Sequence, residues 1–151
     1  LGDDRRASVI QADARDPRSV LTDPAVDRTL DLSRPVGVLM VALLHFVPES
    51  DDPARLVAEF RDAVPSGSYL VLSHGSNEHD PARSAEVGRL YQKSANPVTL
   101  RSRDAIVALL DGFDLVDPGV VHLPLWRPDP DRAAEKDPAR FSVFAGVGHK
   151  P

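Results

Sequence analysis

The 151-residue chain reads as an α/β fold built on a mostly parallel sheet, and three observations predict it. The run Val36–Leu44 is apolar throughout and lacks the polar alternation of a half-exposed strand, which is how a strand buried on both faces of a parallel sheet reads. A second apolar run, Ser68–Ser73, has Tyr69-Leu-Val-Leu72 at its centre. Between them lies a helix signal: Asp52 suits the N-cap, Pro53 the first helical position, and Leu56, Val57, Phe60 and Val64 make one apolar stripe. Strand, helix and strand together form a βαβ crossover. Each run ends in a histidine, His45 and His74, and open α/β sheets bind ligands outside the carboxyl ends of their strands. Function is therefore expected along one rim.

The remaining elements follow in order. Ala7–Ala12 is a short β-prone run, stopped by the Asp and Pro residues of Asp13–Pro17. Arg18–Leu30, interrupted by Pro24, predicts one or two short helical turns. After the crossover comes a polar loop, Gly75–Pro81, and a moderately amphipathic helix over Arg83–Ser94 that carries Val87, Leu90 and Tyr91 and is expected to cap the rim. Pro97–Leu100 leads into a helix over Arg103–Asp111, with Ser102 as N-cap, Ile106, Leu109 and Leu110 as its apolar face and Gly112 at its stop. A strand is expected over Phe113–Val121, then a Pro-rich loop containing Trp126, Pro128 and Pro130, then a last strand over Phe141–Gly148.

Composition narrows the class. With 42% hydrophobic and 27% charged residues the chain is an ordinary globular one, long enough for one domain over residues 1–151 with a real core. The net charge of -5 and the scattered arginines exclude the basic stripe that a nucleic-acid grip needs. The absence of Cys excludes disulfides and thiolate metal sites, and no apolar stretch approaches the roughly 20 residues that span a bilayer. A soluble, cytoplasmic protein is the expectation. The chain starts at Leu1 within a charged segment, as a fragment would.

Four segments carry a family resemblance: Val38–Pro48, Gly67–His74, Pro97–Arg103 and Pro118–Pro128. In this order they resemble the actinobacterial S-adenosylmethionine-dependent methyltransferase family, formerly catalogued as a domain of unknown function, and the resemblance runs from about Val9 to the end. It implies the C-terminal part of a Rossmann-like class I methyltransferase sheet, mostly parallel with an antiparallel last strand and with its N-terminal strands missing. It also implies S-adenosyl-L-methionine as cofactor and a small-molecule acceptor. No Gly-rich turn of the GxGxxG kind occurs in the chain, and in such enzymes that turn holds the methionine part of the cofactor. In the family's strand order the Val9 strand would be separated from the Val36 strand by two absent strands, leaving it nothing to pair with. The chain alone is accordingly expected to be inactive and to bind S-adenosylmethionine weakly or not at all.

The resemblance also assigns residues. Asp13 is the best candidate and would accept a hydrogen bond from the adenine amino group, with Ala14 supplying the neighbouring backbone N–H; its other reading is a turn cap. Ala42 and Leu43 end the buried strand where the cofactor would rest, or pack the core. His45 would flank the sulfonium centre or act as a base, since an ordinary imidazole pKa near 6.5 lets it take a proton at neutral pH. His74 has the same position one strand over. Asp13, Leu43 and both imidazoles are expected to converge along one rim. Tyr91, His122 and Trp126 are candidates to line an acceptor pocket. His74, His79 and Asp80 could pair on a metal, but nothing fixes three ligands, and no metal site is expected. A hydrolase is set aside because Ser73–Ser76 lacks the Gly of a nucleophile elbow. The alternative of another class is a non-catalytic Rossmann-like module that binds a ligand or a partner chain.

Overall fold

The computed structural model describes residues 6–91, 97–131, 133 and 135–151. Two short helices open it, α1 (Pro17–Leu21) and α2 (Pro24–Thr29), each with Pro in its first turn and an Asp side chain, Asp16 or Asp23, capping its N-terminus. Strand β1 (Gly37–Val41) is followed by helix α3 (Pro53–Ala63), strand β2 (Tyr69–Gly75), helix α4 (Pro81–Tyr91) and helix α5 (Arg103–Ala108). Strands β3 (Asp114–Leu115), β4 (Val121–His122) and β5 (Val143–His149) complete the order. The crossover is as the sequence predicts. The Asp52 side chain accepts from the Arg55 N–H at 3.0 Å, and Leu56, Val57 and Phe60 of α3 are buried.

The sheet runs β1-β2-β5-β3, with β4 also on β5. β1 and β2 are parallel, while β5 is antiparallel to β2, β3 and β4. Register puts Gly75 opposite Val143, so the carboxyl end of β2 and the amino end of β5 share one rim. The core lies on one face. Met40, Leu70, Leu72 and Phe144 from the strands meet Leu56, Val57 and Phe60 from α3 and Ile106 from α5. Gly148 lets Phe113 lie against the sheet: a Cβ there would stand 2.6 Å from the Phe113 Cβ. Gly148→Ala is expected to cost about 1–3 kcal/mol, the usual price of overpacking, read as a fall in the urea midpoint at unchanged slope.

Five expectations are corrected. Ala7–Ala12 forms no strand, since no described strand lies beside it to supply ladder hydrogen bonds. The apolar run from Val36 is a strand only to Val41: Ala42 turns into the left-handed region (φ 51°) and Leu44–Phe46 coil into a 3-10 turn that drives Leu44 into the core. The strand is not buried on both faces either. Leu39 is 67% and Val41 55% exposed, because α3 and α5 pack on the opposite, core side of the sheet. The strand expected over Phe113–Val121 is split by the turn at Pro118-Gly119 into β3 and β4, both laid on β5. Helix α4 starts two residues earlier than its pattern suggests, and the end expected at Ser94 lies outside the described residues.

Candidate functional site

The rim at the carboxyl ends of β1 and β2 is organised by a loop, residues 43–47. It begins where Ala42 bends the chain, its N–H donating to the Ser73 Oγ at 3.0 Å. The loop's carbonyls are then gripped from the other side. Thr99 N–H donates to His45 O at 2.7 Å, and the Arg101 guanidinium donates to Leu44 O and Val47 O, both at 2.9 Å. Arg101 is 5% exposed and also pairs with the Glu49 carboxylate through Nε at 2.7 Å. Its remaining partner is the His74 Nε2 at 2.8 Å.

That contact fixes the state of His74. A guanidinium can only donate, so Nε2 accepts and Nδ1 must carry the hydrogen that it gives to Gly75 O at 2.7 Å. The ring is fully buried with both nitrogens engaged. Burial first, and the Arg101 charge with it, push its pKa down to about 4, so it is neutral at physiological pH. His74 thus holds Arg101, and Arg101 holds the loop.

Phe46 of this loop divides two clefts. The first, about 630 Å³, is walled by Leu43, Phe46 and Val47 on one side and by Asp13, Ala14 and Arg15 on the other. Asp13 accepts from the Arg15 Nε at 3.0 Å, Nη2 at 2.6 Å and backbone N–H at 2.9 Å, which holds its carboxyl down at about 2. It is a permanent anion at the mouth. The second cleft, about 290 Å³, contains His45, Phe46, Tyr91, Leu100, Arg140 and Phe141. Burial, then the Arg101 charge, lower the His45 pKa, so its ring is neutral too. Its Nδ1 is enclosed without a partner among the described residues. The His45 and His74 rings lie 5.6 Å apart, edge to face.

Of the residues singled out in the sequence, Asp13, Ala14 and Leu43 line the first cleft and His45 and Tyr91 the second. Ala42 lines neither; it makes the bend. His122 stacks on Phe144 at 4.3 Å, and Trp126 lies in a separate apolar groove on the uncovered sheet face with Val41, Tyr69 and Val71. His79 is exposed on its loop, and no group of three His, Asp or Glu gathers for a metal among the described residues. Sequence reasoning passed over Arg101, Glu49, Phe46 and Arg140. A signal existed for Arg101: it ends an apolar run, Val98-Thr-Leu100, where a charge has to find buried acceptors.

The first cleft can take a flat heterocycle. It offers an apolar wall from Leu43, Phe46 and Val47, an ionised carboxylate to accept from an amino group, and the backbone N–H of Ala14 beside it. That donor set suits the adenine of S-adenosylmethionine.

Comparison with known proteins identifies the family. The sequence model of a family described as S-adenosyl methyltransferase matches residues 1–151. The solved structure of a DUF574 family protein from Streptomyces avermitilis is 35% identical with a TM-score of 0.88, over 94% of this chain and 54% of that one. A protein from Thermobifida fusca, described as a candidate methyltransferase, is 33% identical with a TM-score of 0.89, over 99% of this chain and 56% of that one. A SAM-dependent methyltransferase from Methanosarcina mazei, 15% identical, shares the fold with a TM-score of 0.53, over 80% of this chain and 60% of that one. No curated protein matches. The chain spans about half the length of the first two structures. Among the described residues no helix is long and apolar enough to cross a membrane.

Proposed function

The chain belongs to the S-adenosyl methyltransferase family, whose cofactor is S-adenosylmethionine, and from that premise we propose that it forms the adenine-side wall and the acceptor pocket of a methyltransferase for a small molecule. In this reading it is the C-terminal part of a Rossmann-like class I sheet. One observation carries the assignment: two clefts meet across Phe46 at the carboxyl rim of β1 and β2, one ending in an anion and the other in a neutral imidazole.

Asp13 accepts from the adenine amino group, Ala14 N–H donates to the ring, and Leu43, Phe46 and Val47 pack its face. His45 stands at the acceptor side. The bound cofactor supplies an activated methyl group on a sulfonium. What the protein adds is alignment of the acceptor with that methyl and exclusion of water, from which most of the rate derives. Where the acceptor is a hydroxyl, the neutral His45 ring is the group placed to receive its proton as the methyl is transferred. His74, saturated by Arg101 and Gly75, is a positioning residue.

Asp13→Ala is the test, made in a full-length protein carrying this segment. Loss of a hydrogen bond to a charged acceptor is expected to weaken S-adenosylmethionine about 10- to 100-fold by calorimetry. An unchanged affinity would remove Asp13 from the cofactor site. The 151-residue chain itself, with no Gly-rich turn in its sequence, is expected to bind S-adenosylmethionine only weakly.

A further inference from the structure

The lining of the second cleft is specific enough to name a ligand class. Its walls carry three aromatic rings: Phe46, Tyr91 and Phe141. The Phe46 and Tyr91 centroids lie 6.5 Å apart, and Phe141 is 45% exposed. Leu100 and Val143 add to a mainly apolar space of about 290 Å³, at the small end of ligand pockets and suited to one ring or two fused rings.

Charge adds the second constraint. With His45 neutral, Arg140 is the one charged side chain among the described residues that line the cleft, and no carboxylate is among them. The Arg140 guanidinium lies 4.7 Å over the Phe141 ring, a stack that extends a flat cationic shelf from the aromatic wall. Outside the cleft Glu135 takes one of its N–H groups through Nη2 at 3.1 Å; the fork has five, so donors remain for a second anion. Ser76 and Ser142 also line the cleft.

We propose that this pocket binds a small planar aromatic acid, its ring among Phe46, Tyr91 and Phe141 and its carboxylate on Arg140. The assignment rests on the reading of the second cleft as the acceptor pocket and narrows it from any small molecule to this class.

The test is ligand-observed NMR titration of the full chain with four probes: 4-hydroxybenzoate, 4-hydroxybenzyl alcohol, tyramine and cyclohexanecarboxylate. The expected result is that 4-hydroxybenzoate binds about tenfold more tightly than each of the others, and that Arg140→Gln abolishes its advantage over the alcohol. Arg140 is a surface side chain, so this variant keeps the fold. Equal binding of acid and alcohol, a preference for tyramine, or indifference to Arg140→Gln overturns the proposal. Calorimetry with S-adenosylmethonine on a full-length protein separates the two readings. Cofactor binding without selectivity for the acid sinks only the ligand class. Selective binding of the acid without any cofactor binding sinks the methyltransferase reading and leaves the class standing.

Discussion

Replacing Arg101 by methionine is expected to lower stability by about 3–5 kcal/mol and to loosen both clefts at once. Methionine keeps the volume of the stem but has no donors. Leu44 O, Val47 O and His74 Nε2 then lose the guanidinium that satisfies them, and a buried acceptor left bare costs about 1–3 kcal/mol. Partial entry of water keeps the total below the sum of three such costs. The loss of Glu49 adds little, because that carboxylate is 72% exposed and returns to water. Loop 43–47 carries Leu43 and Phe46, so the same variant should weaken ligands on both sides of Phe46. Arg101→Lys retains the charge but reaches only part of the fork's partners, and should recover part of the stability. Urea unfolding reads the first effect and calorimetry the second. A loss under about 1 kcal/mol would show that the loop is held by something other than Arg101.

Much of this arrangement was legible in the residues, and the parts that were not have identifiable causes. The crossover was readable because Asp52-Pro53 and the Leu56, Val57, Phe60 stripe are local signals that the tertiary structure had no reason to override. The end of β1 was not. The run Val36–Leu44 has one hydrophobic character but two destinations: Met40 and Leu44 enter the core, while Leu39 and Val41 face outward. Hydropathy cannot separate these, and the turn at Ala42 comes from a contact with Ser73, thirty-one residues away. The strand expected at Ala7–Ala12 failed for a similar reason, since β propensity yields a strand only where a partner ladder exists. Leu43 and His45 follow the end of β1 and line the clefts as their position suggests, whereas Asp13 lines the first cleft without a strand before it. Arg101 was hidden because its importance lies in which carbonyls it reaches, 54 and 57 residues distant in sequence. Arg140 came to the rim only through the antiparallel register of β5 on β2, which sets Val143 opposite Gly75.

Acidification should expose the His74 contribution directly. An unfolded histidine titrates near 6.5, whereas His74 in the fold is pushed down to about 4 by burial and by the neighbouring Arg101 cation. Between these values the unfolded chain binds a proton that the folded one refuses, so stability rises with pH across that window. The contribution is complete above about pH 6.5, declines as the pH falls, and is exhausted near pH 4. The gap is worth roughly 3 kcal/mol. Carboxylates titrate in the same range, so the informative quantity is a difference between two proteins. His74→Gln keeps an acceptor for Arg101 but cannot titrate, and its stability relative to the parent should therefore improve by roughly 3 kcal/mol on going from pH 7 to pH 4. A stability difference that stays flat over this range, or an NMR titration placing His74 near its ordinary value, would mean that the ring is not locked against the guanidinium. In that case Arg101 would hold the loop without it, and the neutral imidazole would be free for the chemistry assigned to His45.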